Sequence, residues 1–107
     1  MENYLKNVQR DVHEDILAGY HDRDQRTIRD MLFMGIAEEA GEVAGIGKRI
    51  LRSYDKDKTV ATPEHLCEEL GDVLWYLAGI ADGFDLTLDG IWEYNRKKLE
   101  ERYGNRV

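Results

Sequence analysis

The chain has 107 residues, 42% hydrophobic and 35% charged, with 22 acidic against 15 basic side chains and a formal net charge of −7. That length supports one modest core and one domain, expected over residues 1–107. The acidic balance sets nucleic-acid backbone and anionic membrane surface aside as partners.

In chain order, Tyr4, Leu5, Val8, Val12, Ile16 and Leu17 recur at three- and four-residue steps, which predicts a first amphipathic helix over about Asn3 to Ala18. The charged opening, Met1 to Asp15, lacks the apolar run of a signal peptide. Gly19 to about Arg26 loses the period and reads as a loop, after which Thr27 is the expected N-cap with Asp30 as a weak capping-box partner. A long second helix follows to about Arg52, with Ile28, Met31, Leu32, Ile36, Val43, Ile46, Ile50 and Leu51 as its apolar stripe. Gly35, Gly41, Gly45 and Gly47 each cost a helix about 1 kcal/mol relative to alanine, so close approach of another backbone is the use expected of them.

Ser53 to Ala61 is a polar linker. Thr62-Pro63 marks a helix start, and the third helix runs through Leu66, Leu70, Val73, Leu74, Leu77 and Ile80 to about Asp82, with Gly83 as its stop. Its most apolar run, Val73 to Ala81, is too short to span a bilayer. Thr87 is the expected N-cap of a last helix carrying Leu88, Ile91, Trp92, Tyr94, Leu99 and Tyr103, ended by Gly104. With no period-two run, the expected fold is all-α with four helices. The single cysteine, Cys67, excludes an intrachain disulfide and points to a reducing cytoplasm.

One internal repeat carries chemistry. Glu38-Glu39-Ala40-Gly41-Glu42-Val43 returns thirty positions later as Glu68-Glu69-Leu70-Gly71-Asp72-Val73. Glu39 and Glu42 fall roughly 60° apart on one helix face, and Glu69 and Asp72 do the same on theirs. Like charges so placed repel, more strongly where apolar neighbours lower the dielectric, so a cation is expected between them. Two such helices facing each other would offer the hard-oxygen cage that Mg²⁺ or Mn²⁺ selects. A lone acidic pair is usually a solvated helix face. Two copies, crowded by Val43, Leu70, Val73 and Leu74 as expected core residues, favour paired metal clips. A di-iron carboxylate bundle would want Glu-x-x-His, which neither copy offers.

Other chemistry is sparse. His13, His21 and His65 share no ligand spacing, and His65 reads as a helix-surface residue one turn before the second acidic copy. Cys67, beside Glu68, lacks the positive neighbours that activate a thiol and reads as a small buried or half-buried side chain. Trp75 and Tyr76 read as core aromatics, with a wall for a flat ring as the alternative. Lys48, Arg49 and Arg52 either complement the helix C-terminus or, for Lys48 or Arg49, stand beside a phosphate.

At these residues the chain resembles the MazG-type nucleoside triphosphate pyrophosphohydrolases of the all-α NTP pyrophosphatase superfamily. Their pattern is Glu-Glu-x-x-Glu, a gap of one to three dozen residues, then Glu-x-x-Asp. Glu38-Glu39-x-x-Glu42 and Glu69-x-x-Asp72 satisfy it. Asp72-Val73-Leu74-Trp75-Tyr76-Leu77 resembles the family's continuation, and Asn95, Lys98-Leu99 and Arg102-Tyr103 resemble its C-terminal element. Tyr4-Leu5-Lys6-Asn7-Val8 is similar to the opening of short members, including those of phages. The tail departs, with Gly104-Asn105-Arg106-Val107 where short members often have Pro.

The resemblance implies a four-helix bundle-like MazG fold and Mg²⁺-dependent hydrolysis of the α–β phosphoanhydride of an NTP or dNTP. Glu39, Glu42, Glu69 and Asp72 are the expected ligands of Mg²⁺, with Mn²⁺ as a substitute. Glu38 is the expected base for the attacking water, able to exchange roles with Glu39. Lys98 and Asn95, with Lys48 or Arg49, would hold the outer phosphates. Trp75 is one candidate for the base pocket, beside Tyr76, Trp92 and Tyr4. The long second helix leaves apolar length to cover, so a homodimer or homotetramer is expected. Two alternatives stand: a phosphoribosyl-ATP pyrophosphohydrolase using the same acids, and a non-catalytic helical oligomerisation or regulatory module with a structural cation.

Overall fold

A computed structural model describes residues 4–52 and 62–104. The expected linker at 53–61 and the tail at 105–107 lie outside the described residues. The fold is all-α: α1 (Tyr4–Gly19), α2 (Gln25–Arg52), α3 (Pro63–Gly83) and α4 (Leu88–Tyr103), with no strand among the described residues. No helix among them is long and apolar enough to cross a membrane.

The helix ends follow from cap chemistry. Thr62 and Thr87 cap as expected, their hydroxyls accepting from the backbone N–H of His65 at 3.1 Å and of Gly90 at 2.9 Å. The start of α2 differs from the expectation. Asp24 is the cap, its Oδ1 accepting from the Thr27 N–H at 2.7 Å, so the helix begins two residues before Thr27. Hydrogen bonds from the Thr27 backbone, then from its hydroxyl, hold the Asp24 carboxyl below the ordinary aspartate range. A carboxylate outcompetes a hydroxyl here because it accepts both.

The end of α3 also differs in detail. Gly83 is its last residue, but the left-handed position is Asp85, with φ 56°. Leu86 N–H reaches back to the Ala81 carbonyl at 2.9 Å and Asp85 N–H to that of Asp82 at 3.2 Å, the paired bonds of a Schellman end. Aspartate is among the few non-glycine residues that tolerate this conformation. Gly104 closes α4 with φ 69°, its N–H donating to the Glu100 carbonyl.

The chain divides into two compact units. One comprises residues 1–22 and 78–107; the other, residues 23–77. In the first, Val12, Ile16, Ala78, Ala81 and Leu88 are buried. Gln9 of α1 ties the α3–α4 turn at two points: its Nε2 donates to the Leu86 carbonyl at 2.6 Å, and its Oε1 accepts from the Leu88 N–H at 3.1 Å. One turn on, His13 Nδ1 lies 2.6 Å from Asp82 Oδ2. In the second unit Leu32, Gly35 and Ile46 are the buried residues of α2.

The backbone approach expected of the α2 glycines is not what the structure shows: only Gly35 is closely approached, and by a side-chain ring. A Cβ built there would penetrate the ring of Tyr76, whereas among the described residues it would meet nothing within 4 Å at Gly41, Gly47 and Gly71, and only the Arg49 guanidinium at 3.5 Å at Gly45. Several side chains expected in the apolar stripes are instead exposed, among them Leu17 at 60%, Leu51 at 78% and Leu70 at 52%.

Candidate metal centre

The second unit brings together one acid from the first repeat and two from the second. One carboxylate oxygen each from Glu39, Glu69 and Asp72 can be chosen so that all lie within 4.8 Å of one another. Glu39 comes from α2, Glu69 and Asp72 from α3. Glu39 and Glu69 are half-buried, and Asp72 faces solvent. The register that achieves this is set next door. The Tyr76 ring lies on the bare backbone at Gly35 and makes a T-shaped contact with Trp75, centroids 5.1 Å apart and planes at 80°. One turn forward from Gly35 is Glu39, and one turn back from Tyr76 is Asp72, so antiparallel passage of the helices sets those two acids against each other.

The electrostatics follow from the crowding. Desolvation, then the charges of Asp72, Glu69, Glu38 and Glu42 in that order, push the Glu39 carboxyl above its ordinary range. His65 stands beside these acids, its Nε2 4.0 Å from Glu69 Oε1. A divalent cation would relieve the repulsion, and three converging carboxylate oxygens are the hard donors that Mg²⁺ and Mn²⁺ take.

Glu38 and Glu42 lie on α2 beside Glu39, are exposed, and fall outside the three-acid group, though both charges act on Glu39. Lys48 and Arg49 are exposed on the last two turns of α2. Trp75 is half-buried beside Tyr76. Asn95, half-buried, and Lys98, exposed, lie on α4, which belongs to the first unit. Leu70 and Leu74, expected to crowd the acids as core, are 52% and 38% exposed, because they point away from the helix face that carries Glu69 and Asp72. Cys67 is likewise exposed, beside exposed Glu68. His65, read from the sequence as a helix-surface residue one turn before the second acidic copy, is half-buried and stands at i,i+4 to Glu69.

Comparison with known proteins bears on this geometry. The profile of the MazG nucleotide pyrophosphohydrolase domain matches residues 29–107, which takes in all three converging acids. The chain belongs to the MazG family. Its function at that level is of the nucleotide pyrophosphohydrolase type, as the sequence resemblance implied. The Gene 37 protein of Mycobacterium phage L5 is 38% identical to this MazG chain over 87 residues, covering 81% of the chain and 76% of the phage protein. No solved structure matches.

Proposed function

We propose that this MazG chain is a Mg²⁺-dependent pyrophosphohydrolase that cleaves NTPs or dNTPs between the α and β phosphates, releasing a monophosphate and pyrophosphate. The observation that carries the proposal is the convergence of Glu39, Glu69 and Asp72 from two helices. Glu42, one turn from Glu39 on α2, is assigned to the same ligand set. Bound there, Mg²⁺ or Mn²⁺ would polarise phosphate oxygens and acidify the attacking water.

The other steps belong to side chains. Glu38, exposed beside Glu39, takes the proton of the water whose oxygen forms the new bond to the α-phosphorus, and the bond from that phosphorus to the bridging oxygen breaks toward pyrophosphate. Lys98 and Asn95 carry the charge and donors that the outer phosphates require, with Lys48 or Arg49 as further cations and Trp75 as an apolar wall for the base. A homodimer or homotetramer is the proposed assembly, supported by apolar side chains left in solvent, including Met34 at 67%, Leu51 at 78%, Trp92 at 58% and Tyr94 at 76%. Pyrophosphate release from a panel of NTPs and dNTPs with Mg²⁺ tests the reaction. Turnover by the natural chain that vanishes in a folded Glu42→Gln variant supports it. Activity on no nucleotide, with Mg²⁺ still raising Tm, would instead favour a helical module with a structural cation.

A further inference from the structure

We propose that His65 is a positioning residue, holding the Glu69 carboxylate turned toward Glu39 and Asp72; this rests on the metal-centre reading above. Three carboxylates within 4.8 Å of one another repel, and each gains by swinging outward unless something opposes it. Glu69 is the acid best placed to be restrained, with a side chain only 17% exposed. Helical side chains tilt toward the helix N-terminus, so the Glu69 carboxylate passes over the preceding turn, where His65 stands. His65 Nε2 is 4.0 Å from Glu69 Oε1, beyond direct hydrogen-bond distance. An N–H at that nitrogen turns the positive end of its dipole toward Glu69 Oε1.

The restraint is itself anchored. His65 sits in the first turn of α3, and its backbone N–H is bound to the Thr62 hydroxyl at 3.1 Å, which fixes the turn from which the imidazole projects. The imidazole is 40% exposed, so more than half of its surface is out of water. Groups that orient a ligand from outside commonly change metal affinity by about 10–100-fold when lost. At 4.0 Å the lower end of that range applies.

The test is a Mn²⁺ titration of the whole chain, with free Mn²⁺ read by its paramagnetic resonance signal, on the natural protein, His65→Ala, His65→Gln and Glu69→Gln. Expected is a loosening of about tenfold in His65→Ala, substantial recovery in His65→Gln, whose amide keeps an N–H donor, and loss of binding in Glu69→Gln. The thermal transition of the metal-free His65→Ala chain should match that of the natural protein, which separates orientation of a ligand from helix stability. Undiminished Mn²⁺ affinity in His65→Ala alongside loss in Glu69→Gln would overturn the role of His65 and leave the metal centre standing. Equal losses in His65→Ala and His65→Gln would also overturn it. Unchanged binding in Glu69→Gln would remove the metal centre itself.

Discussion

Replacing Gly35 with alanine tests how the α2–α3 register produces the acid cluster. On helix propensity alone the change should help, by about 1 kcal/mol. The surroundings oppose it. The new methyl carbon would stand 2.6 Å from Tyr76 Cδ1 and closer to two further ring atoms, where carbon–carbon contact is comfortable only at about 3.5–4.0 Å. The ring or the helix must retreat by roughly 1 Å or more, and overpacking of this kind costs about 1–3 kcal/mol. Allowing for the propensity gain, a net loss of up to about 2 kcal/mol is expected, and each kcal/mol lowers Tm by about 4–8 °C in a chain of this size. Because Glu39 and Asp72 lie one turn from the two partners in that contact, Gly35→Ala should also weaken Mn²⁺ binding. Calorimetry and a Mn²⁺ titration read the two effects, and adding Tyr76→Leu, which removes the ring, should show positive coupling with Gly35→Ala. Gly71→Ala, with open space at its Cβ, is the control and should not lower Tm. A Gly35→Ala protein with unchanged Tm and unchanged metal affinity would refute the reasoning.

Glu39→Gln should raise the Tm of the metal-free chain while abolishing metal-dependent turnover. The folded Glu39 pKa lies above its ordinary value of 4.5, so its contribution to stability is full below that value and is lost as pH rises through the folded pKa. The Tm advantage of Glu39→Gln should therefore be present at neutral pH and shrink on acidification toward 4.5, as thermal scans across pH would show. Asp24 runs the other way. Its stabilising contribution is present above its ordinary value of 3.8 and lost as pH falls through the depressed folded pKa, so natural chain and Asp24→Ala should converge in Tm in strong acid. Gln9→Leu removes the side-chain partner of the Leu88 N–H and the Leu86 carbonyl, and since water can reach these groups it should cost about 0.5–1.5 kcal/mol by denaturant titration.

The helices were legible in the sequence because each rests on a local signal: the apolar period, and the threonine caps at Thr62 and Thr87. The repeated acids also stood out, since their i,i+3 spacing alone sets Glu69 and Asp72 on one face. What sequence could not give is the neighbour across a helix pair. Gly35, Gly41 and Gly71 look alike in a helical pattern, and only the facing side chain, Tyr76, distinguishes Gly35 as the one that must lack a Cβ. The cap of α2 fell between two good capping residues three positions apart, and the carboxylate of Asp24 won over the Thr27 hydroxyl. Gly83 ends α3 as expected, while the left-handed turn beyond it falls on Asp85, a residue that no local signal marks. Leu70 was misplaced as core because apolar character marks a face to be covered without saying by what.

The most direct test of the account is pyrophosphate release from a panel of NTPs and dNTPs by the natural chain and by Asp72→Asn, each with and without Mg²⁺. The account predicts Mg²⁺-dependent release by the natural chain on at least one nucleotide and none by a folded Asp72→Asn variant. Release that persists undiminished in Asp72→Asn would contradict it.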